Sequence, residues 1–214
     1  MGLSVKWLGH ASFQIRADCK IIFIDPYEGS YVDKADLVLV SHSHHDHCDP
    51  SKIEQIRKRD TVIIGPADCA SKIEGKIKVL EPGEKTEVGK ITVQAVPAYN
   101  YKRFRSPGVP FHPKGSGVGY LITAGGKTTY YAGDTDFIPE MHQLKNIDLA
   151  LLPTGDKYTM DNAEAAEAAN AIKPKTAMAM HTWEKDREEF KKKAEANSKT
   201  QVVLLQEGEE YQLK

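Results

Sequence analysis

Cysteine is scarce. Cys19, Cys48 and Cys69 are the three in 214 residues, an odd number without paired motif spacing. That excludes a disulfide framework and fits the reduced thiols of a cytosolic protein. Long apolar runs are also missing: no stretch approaches the roughly 20 residues of a transmembrane helix. The opening MGLSVKWLGHASFQI has neither the basic n-region nor the apolar h-region of a signal peptide. Charge of one sign is not in excess. The formal net charge is −1, so nothing points to a nucleic-acid or membrane partner. The sequence shows no repeat, low-complexity tract or linker. The expectation is a single soluble cytoplasmic domain over 1–214, with 40% hydrophobic residues supplying a sizeable core. Homo-oligomerisation is not legible.

Short apolar segments separated by turns dominate the chain. VKWL, SFQIRA and KIIFID predict three consecutive strands, and DLVLVSH (36–42) a strand buried on both faces. PSKIEQIRKR (50–59) has helical spacing at Ile53 and Ile56; TVIIG, KIKVL and KITVQAV (90–96) read as strands. A second half follows. GVGYLITA and KTTYYAGD pair as a hairpin across Gly125-Gly126. IDLALLP (147–153) and TAMAMH (176–181) are strands, and DNAEAAEAANAI is a helix whose Asp161 and Glu164 fit a capping box. WEKDREEFKKKAEAN reads as an amphipathic helix and QVVLLQ as a last strand. Two β-rich halves, each with helices, predict an α/β arrangement of two sheets covered by helices on their outer faces.

Histidine is concentrated where most residues are not. Four of the eight histidines stand in SHSHHDHCDP (41–50), just beyond the strand DLVLV. Side chains at a strand end can converge on a point, and imidazole and carboxylate are ligands that suit zinc, iron and manganese. The competing reading is a solvated histidine-rich loop. In H-x-H-x-D-H the candidate ligands are His42, His44, Asp46 and His47, with His45 a spare that points away. Cys48 reads as a small buried residue. One motif cannot close a two-metal site. Three further candidates follow strands or lie in loops: Asp134 in YYAGDTD, His181 in AMAMHTW and His112 in FHPKGSG.

Together with WLGHASFQI, FIDP, VPAYN and PTGDKYTMDNAEAAEA, these motifs make nearly the whole chain resemble a metallo-β-lactamase-fold hydrolase. The resemblance is to the branch of predicted metal-dependent hydrolases that includes the ascorbate-6-phosphate lactonase-like enzymes. It implies a four-layer αββα sandwich with the motifs along one edge. It also implies that His42 and His44 bind one metal, Asp46 and His47 the other, that Asp134 bridges, and that His181 completes the second site. Many relatives carry a histidine where this chain has Asn100. Either His112 folds back to replace it or His10, in GHAS, does so; the alternative for His10 is a substrate-contacting or supporting role. Asp46 and His10 are the residues expected to take part in catalysis. Asp25 either orients a ligand histidine or forms an Asp-Pro turn.

Two divalent metal ions, zinc first with manganese or iron as alternatives, would share a hydroxide and polarise a scissile ester, lactone or phosphodiester bond. The loop from Pro97 to Gly117 carries Lys102, Arg103, Arg105 and Lys114 and no acidic residue. Over a dimetal site it suits an anionic small-molecule substrate; otherwise it is a solvated surface loop. Tyr158 and Thr159 are placed to face the same cleft, although Thr159 has an alternative role in starting a helix. The rival functions are a di-iron redox protein on the same fold and a non-catalytic metal-binding module.

Overall fold

The computed structural model describes residues 2–183, 185–196 and 198–213. The first three apolar segments form the antiparallel strands β1 (Leu3–Gly9), β2 (Ser12–Ala17) and β3 (Lys20–Ile24). The β2–β3 turn is Asp18-Cys19, both with positive φ (51° and 58°), the backbone that a two-residue hairpin with right-handed strand twist demands. β4 (Leu37–Leu39) then joins β3 in parallel. Parallel pairing needs a crossover. The next crossover, from β4 to β5, carries helix α1 (Pro50–Ile56), capped by Asp49, whose carboxylate accepts from the Ser51 and Lys52 N–H groups. Its Ile53 and Ile56 pack with Leu8, Phe23, Val38 and Val40 on the outer face of the sheet. β5 (Val62–Gly65) and β6 (Lys78–Val79) complete the parallel part.

The second sheet begins with β7 (Lys85–Val88) and β8 (Ile91–Ala98). A two-stranded ribbon, β9 (Phe104–Ser106) and β10 (Val109–Pro110), stands apart from both sheets. Then come β11 (Gly117–Ala124) and β12 (Lys127–Tyr131), joined at Gly125-Gly126 as the sequence predicts. β13 (Leu149–Pro153), helix α2 (Asn162–Ile172), β14 (Thr176–Met180), helix α3 (Arg187–Ala196) and β15 (Gln201–Val202) follow. The sheet order is β15-β14-β13-β12-β11-β8-β7. β16 (Glu210–Leu213) returns to the first sheet beside β1, giving β16-β1-β2-β3-β4-β5-β6. The inner faces share one core that includes Phe13, Ile15, Tyr120, Tyr131 and Leu149, while α2 buries Ala165, Ala166, Ala168 and Ala169. Helix, sheet, sheet and helices make the four-layer αββα sandwich.

The differences from expectation are local. The capping box on α2 is present, with both Asp161 and Glu164 bonded to each other's backbone N–H. The charged helix starts at Arg187 rather than Trp183; Glu184 and Asn197, at either end of the expected span, lie outside the described residues. QVVLLQ keeps only two strand residues, and the true last strand is β16. KIKVL likewise reduces to the edge strand β6. The basic loop, read as irregular, contains the β9–β10 ribbon.

This topology sets the functional edge. β4, β12, β13 and β14 all end on it, so residues 41–47, 133–134, 154–158 and 181–183 are delivered together. Backbone bonds from Val118 N to Ser41 O (2.9 Å) and from His181 N to His10 O (3.0 Å) tie the two sheets there. Gly133, at φ +65°, turns with its Cα against the Val118 carbonyl; a Cβ would lie 2.8 Å from that oxygen. Among the described residues no helix is long and apolar enough to cross a membrane.

Candidate active site

Three imidazoles converge first. His42 Nε2 lies 3.1 Å from His44 Nδ1, and His112 Nε2 lies 3.2 Å from the same atom. The loop folds back and brings His112 beside His42 and His44. Asn100 is what holds it. Its Oδ1 accepts from the His112 backbone N–H (3.0 Å) and faces His112 Nδ1 at 2.7 Å, while its own N–H donates to the His112 carbonyl (2.8 Å). An amide oxygen can only accept, so the proton sits on Nδ1 and the lone pair of Nε2 faces the other histidines.

A second set gathers beside it. His10, Asp46, His47 and His181 each place a ligand atom within 4.8 Å of the others. Asp134 stands between the sets. Its Oδ2 is 3.3 Å from His112 Nε2 and 3.2 Å from His181 Nε2, and its Oδ1 is 3.5 Å from His47 Nε2. Asp25, fully buried, accepts from His47 Nδ1 (2.6 Å), the Ser41 N–H (2.7 Å) and the Tyr131 hydroxyl (2.6 Å). Thus Asp25 fixes the orientation of the His47 ring, while its φ of 43° also serves the turn before Pro26. His45 is 87% exposed and points away. Cys48 is buried. His10 groups with Asp46, His47 and His181 rather than with His42 and His44; its Nε2 faces Asp46 Oδ2 at 3.3 Å. The physical reason is that β1 ends beside β14, on the Asp46 side of Asp134.

The donors fit divalent cations. Bonds of 2.0–2.2 Å to a tetrahedral centre put ligand atoms about 3.3–3.6 Å apart. The separations of 3.1, 3.2 and 3.3 Å around His44, His112 and Asp134 lie at or just inside the short end of that range. Without a cation such an arrangement aims lone pairs at one another. His47 Nε2 and Asp134 Oδ1 are buried and face each other across 3.5 Å, longer than a good hydrogen bond and close to the spacing of two ligands on one cation. Burial keeps His42 well below the ordinary histidine value and pushes His112 down to about 4, with Asp134 opposing in both. Burial works against the Asp134 charge, yet His181 and His47 hold it well below the usual carboxylate range. Neutral imidazole and ionised carboxylate are the states that metal ligation requires. His47 differs: burial opposes its charge, but Asp134 and Asp25 hold it well above the ordinary value, so a cation at Nε2 would displace a proton.

A cleft of about 330 Å³ opens onto the centre, lined by His44, Asp46, Arg105, Phe111, Tyr158 and Trp183 among others. Of the four basic loop residues, Arg105 lines it. The other three face carboxylates instead. Lys102 Nζ is 2.8 Å from Glu164, Arg103 bridges Asp136 (2.7 Å) and Glu164, and Lys114 Nζ is 2.9 Å from Glu140. Asp136 also accepts from the Tyr101 and Lys102 N–H groups and from Asn100 Nδ2, so one carboxylate shapes the loop around His112. Thr159 is buried, its Oγ1 accepting from the Gly155 N–H, and does not face the cleft. Asp136, Tyr131, Ser41, Phe111 and Trp183 were not singled out from the sequence. No spacing marks them, because their partners lie on other strands.

Residues 4–181 match the family model of the beta-lactamase superfamily domain. Over 99% of this chain and 100% of the relative, the sequence is 37% identical to a UPF0173 metal-dependent hydrolase of Thermococcus kodakarensis. The chain belongs to the UPF0173 metal-dependent hydrolases of the beta-lactamase superfamily. Among solved structures of similar proteins, a candidate metal-dependent hydrolase from Parabacteroides distasonis is 36% identical, with a TM-score of 0.88 over 94% of this chain and 92% of that one. Igni18, a metallo hydrolase from Ignicoccus hospitalis, is 25% identical, with a TM-score of 0.81 over 100% and 99%. The αββα sandwich of this UPF0173 chain is the metallo-β-lactamase fold.

Proposed function

We propose that this UPF0173 chain is a hydrolase holding two divalent cations, zinc first, and that it cleaves an ester, lactone or phosphodiester bond in an anionic small molecule. The observation that carries this is Asp134: one buried carboxylate between two sets of imidazoles, with His112 Nε2 at 3.3 Å and His181 Nε2 at 3.2 Å from the same oxygen. His42, His44 and His112 would hold one ion, Asp46, His47 and His181 the other, with Asp134 shared. When bound, the ions supply Lewis acidity and a water acidic enough to attack at neutral pH. No serine or cysteine nucleophile is then required.

The chain's own residues do the rest. Asp25 and Asn100 fix the tautomers of His47 and His112 through their outer nitrogens. Asp46 and His10 form a carboxylate–imidazole pair that handles protons; burial keeps His10 below its ordinary value, so it stays available as a base. Arg105 supplies the positive charge that receives an anionic group, and Tyr158 lines the same cleft. Metal-free protein reconstituted with Zn²⁺, Mn²⁺ or Fe²⁺ and offered a phosphodiester, a phosphorylated lactone and a neutral ester tests the reading. Turnover that requires two ions per chain and favours the anionic substrates is expected. Two bound ions with no hydrolysis of any of them would overturn it in favour of the redox or binding alternatives.

A further inference from the structure

Resting on that reading, we propose that Trp183 forms a subsite for a planar aromatic group of the substrate, at the lip of the metal cleft. The indole is 56% exposed. A side chain of that size is normally covered, and an exposed one beside a reactive centre marks a surface kept for contact. Its backbone is special. Trp183 has φ +48°, a left-handed conformation that bulky residues rarely adopt and that persists only when the surroundings impose it. Those surroundings are visible. Gly155 lets the segment after β14 sit close: a Cβ there would meet the His181 carbonyl at 2.3 Å and Trp183 Cδ1 at 2.7 Å. The indole is further braced by near-perpendicular contacts with His10 (5.2 Å) and His181 (5.6 Å).

The space it faces is a second hollow of about 550 Å³, lined by Gly155, Lys157, Tyr158, Trp183 and Lys185. Tyr158 and Trp183 line both this hollow and the metal cleft, so the two are continuous at those rings. Tyr158 is itself held by Phe111, edge to face at 4.8 Å. A substrate whose anionic group lies against Arg105 and the histidine cluster therefore lays its remainder over the exposed faces of Tyr158 and Trp183, whose centroids stand 6.4 Å apart. Flat π-faces favour a flat guest, and stacking on an aromatic side chain is insensitive to the guest's identity. The lysines at the rim, one over the Tyr158 ring at 4.9 Å and one paired with Asp156 at 2.9 Å, keep the hollow compatible with an anionic molecule.

Phenylphosphonate and methylphosphonate share an anionic head and differ in the ring, so their binding to zinc-loaded protein, measured by calorimetry, reads the subsite alone. Wild type should bind phenylphosphonate about ten-fold tighter, or about 1.4 kcal/mol. Trp183→Ala should abolish the preference while leaving the methylphosphonate affinity unchanged, which also certifies that the variant is folded; Trp183→Phe should keep most of it. Equal affinities in wild type, no binding of either, or a preference that survives Trp183→Ala would overturn the proposal. A preference in a protein that hydrolyses no ester would keep the subsite and discard the reaction; hydrolysis without the preference would do the reverse.

Discussion

Replacing Asn100 by alanine isolates the contacts that hold His112 beside His42 and His44. Asn100 makes no direct approach to the proposed ions, yet four side-chain contacts depend on it: two from His112 to Oδ1, and two from Nδ2 to Asp136 and the Tyr158 carbonyl. Each buried hydrogen bond contributes about 1 kcal/mol net, so the fold should lose roughly 2–4 kcal/mol. The effect on metal is more selective. Groups that orient a ligand through its outer nitrogen typically contribute 10–100-fold in affinity, which is about 1.4–2.7 kcal/mol. His112 belongs to the set with His42 and His44, so one zinc equivalent should weaken by that factor while the other, at Asp46, His47 and His181, keeps its affinity. Competition titration with a chromogenic chelator resolves the two steps. His112→Ala should go further and leave about one equivalent, whereas His10→Ala should leave both. If Asn100→Ala weakened both steps alike, or neither, the clamp on His112 would not be what completes the first set.

Three other perturbations test separate links. Burial raises the Asp36 carboxyl, but hydrogen bonds from Lys58, the Ile21 N–H and Lys20 outweigh it and bring it down to about 2. A depressed folded value stabilises above the unfolded value near 3.9 and loses that contribution as pH falls through 2. Discounted for its partly exposed partners, Asp36→Asn should cost about 1–2 kcal/mol in urea unfolding at pH 7 and progressively less between pH 4 and pH 2. Arg105→Ala should raise KM for an anionic ester about ten-fold, with kcat changed less and the loss mimicked by salt; Lys114→Ala, whose partner is Glu140, should leave KM unchanged. Gly155→Ala forces a methyl onto the His181 carbonyl, so it should destabilise by about 1–3 kcal/mol and weaken the zinc equivalent that His181 serves, read by the same titration.

The histidine motif was legible because it is local. His42, His44, Asp46 and His47 follow one strand end, and strand ends with glycine or a turn beyond them also announced Asp134 and His181. The hairpin at Gly125-Gly126 and the capping box at Asp161 were readable for the same reason: their chemistry lies within a few residues. What the sequence hid depends on distant partners. Lys102, Arg103 and Lys114 look like a substrate-facing patch in a loop with no acidic residue, but their carboxylates come from Glu164, Asp136 and Glu140 on other elements. The short strand β16 carries no strong pattern and forms because β1 offers it an edge. Trp183 sits in a segment read as helix, and its role comes from Gly155, nearly thirty positions earlier.

The central claim is two cations flanking Asp134, and anomalous diffraction at the zinc edge from crystals of the reconstituted protein tests it most directly. The account predicts two peaks, one among His42, His44 and His112 and the other among Asp46, His47 and His181, each within about 2.0–2.2 Å of its ligand atoms and both touching Asp134. A single peak, a peak ligated by His45, or two peaks of which neither touches Asp134 would contradict it.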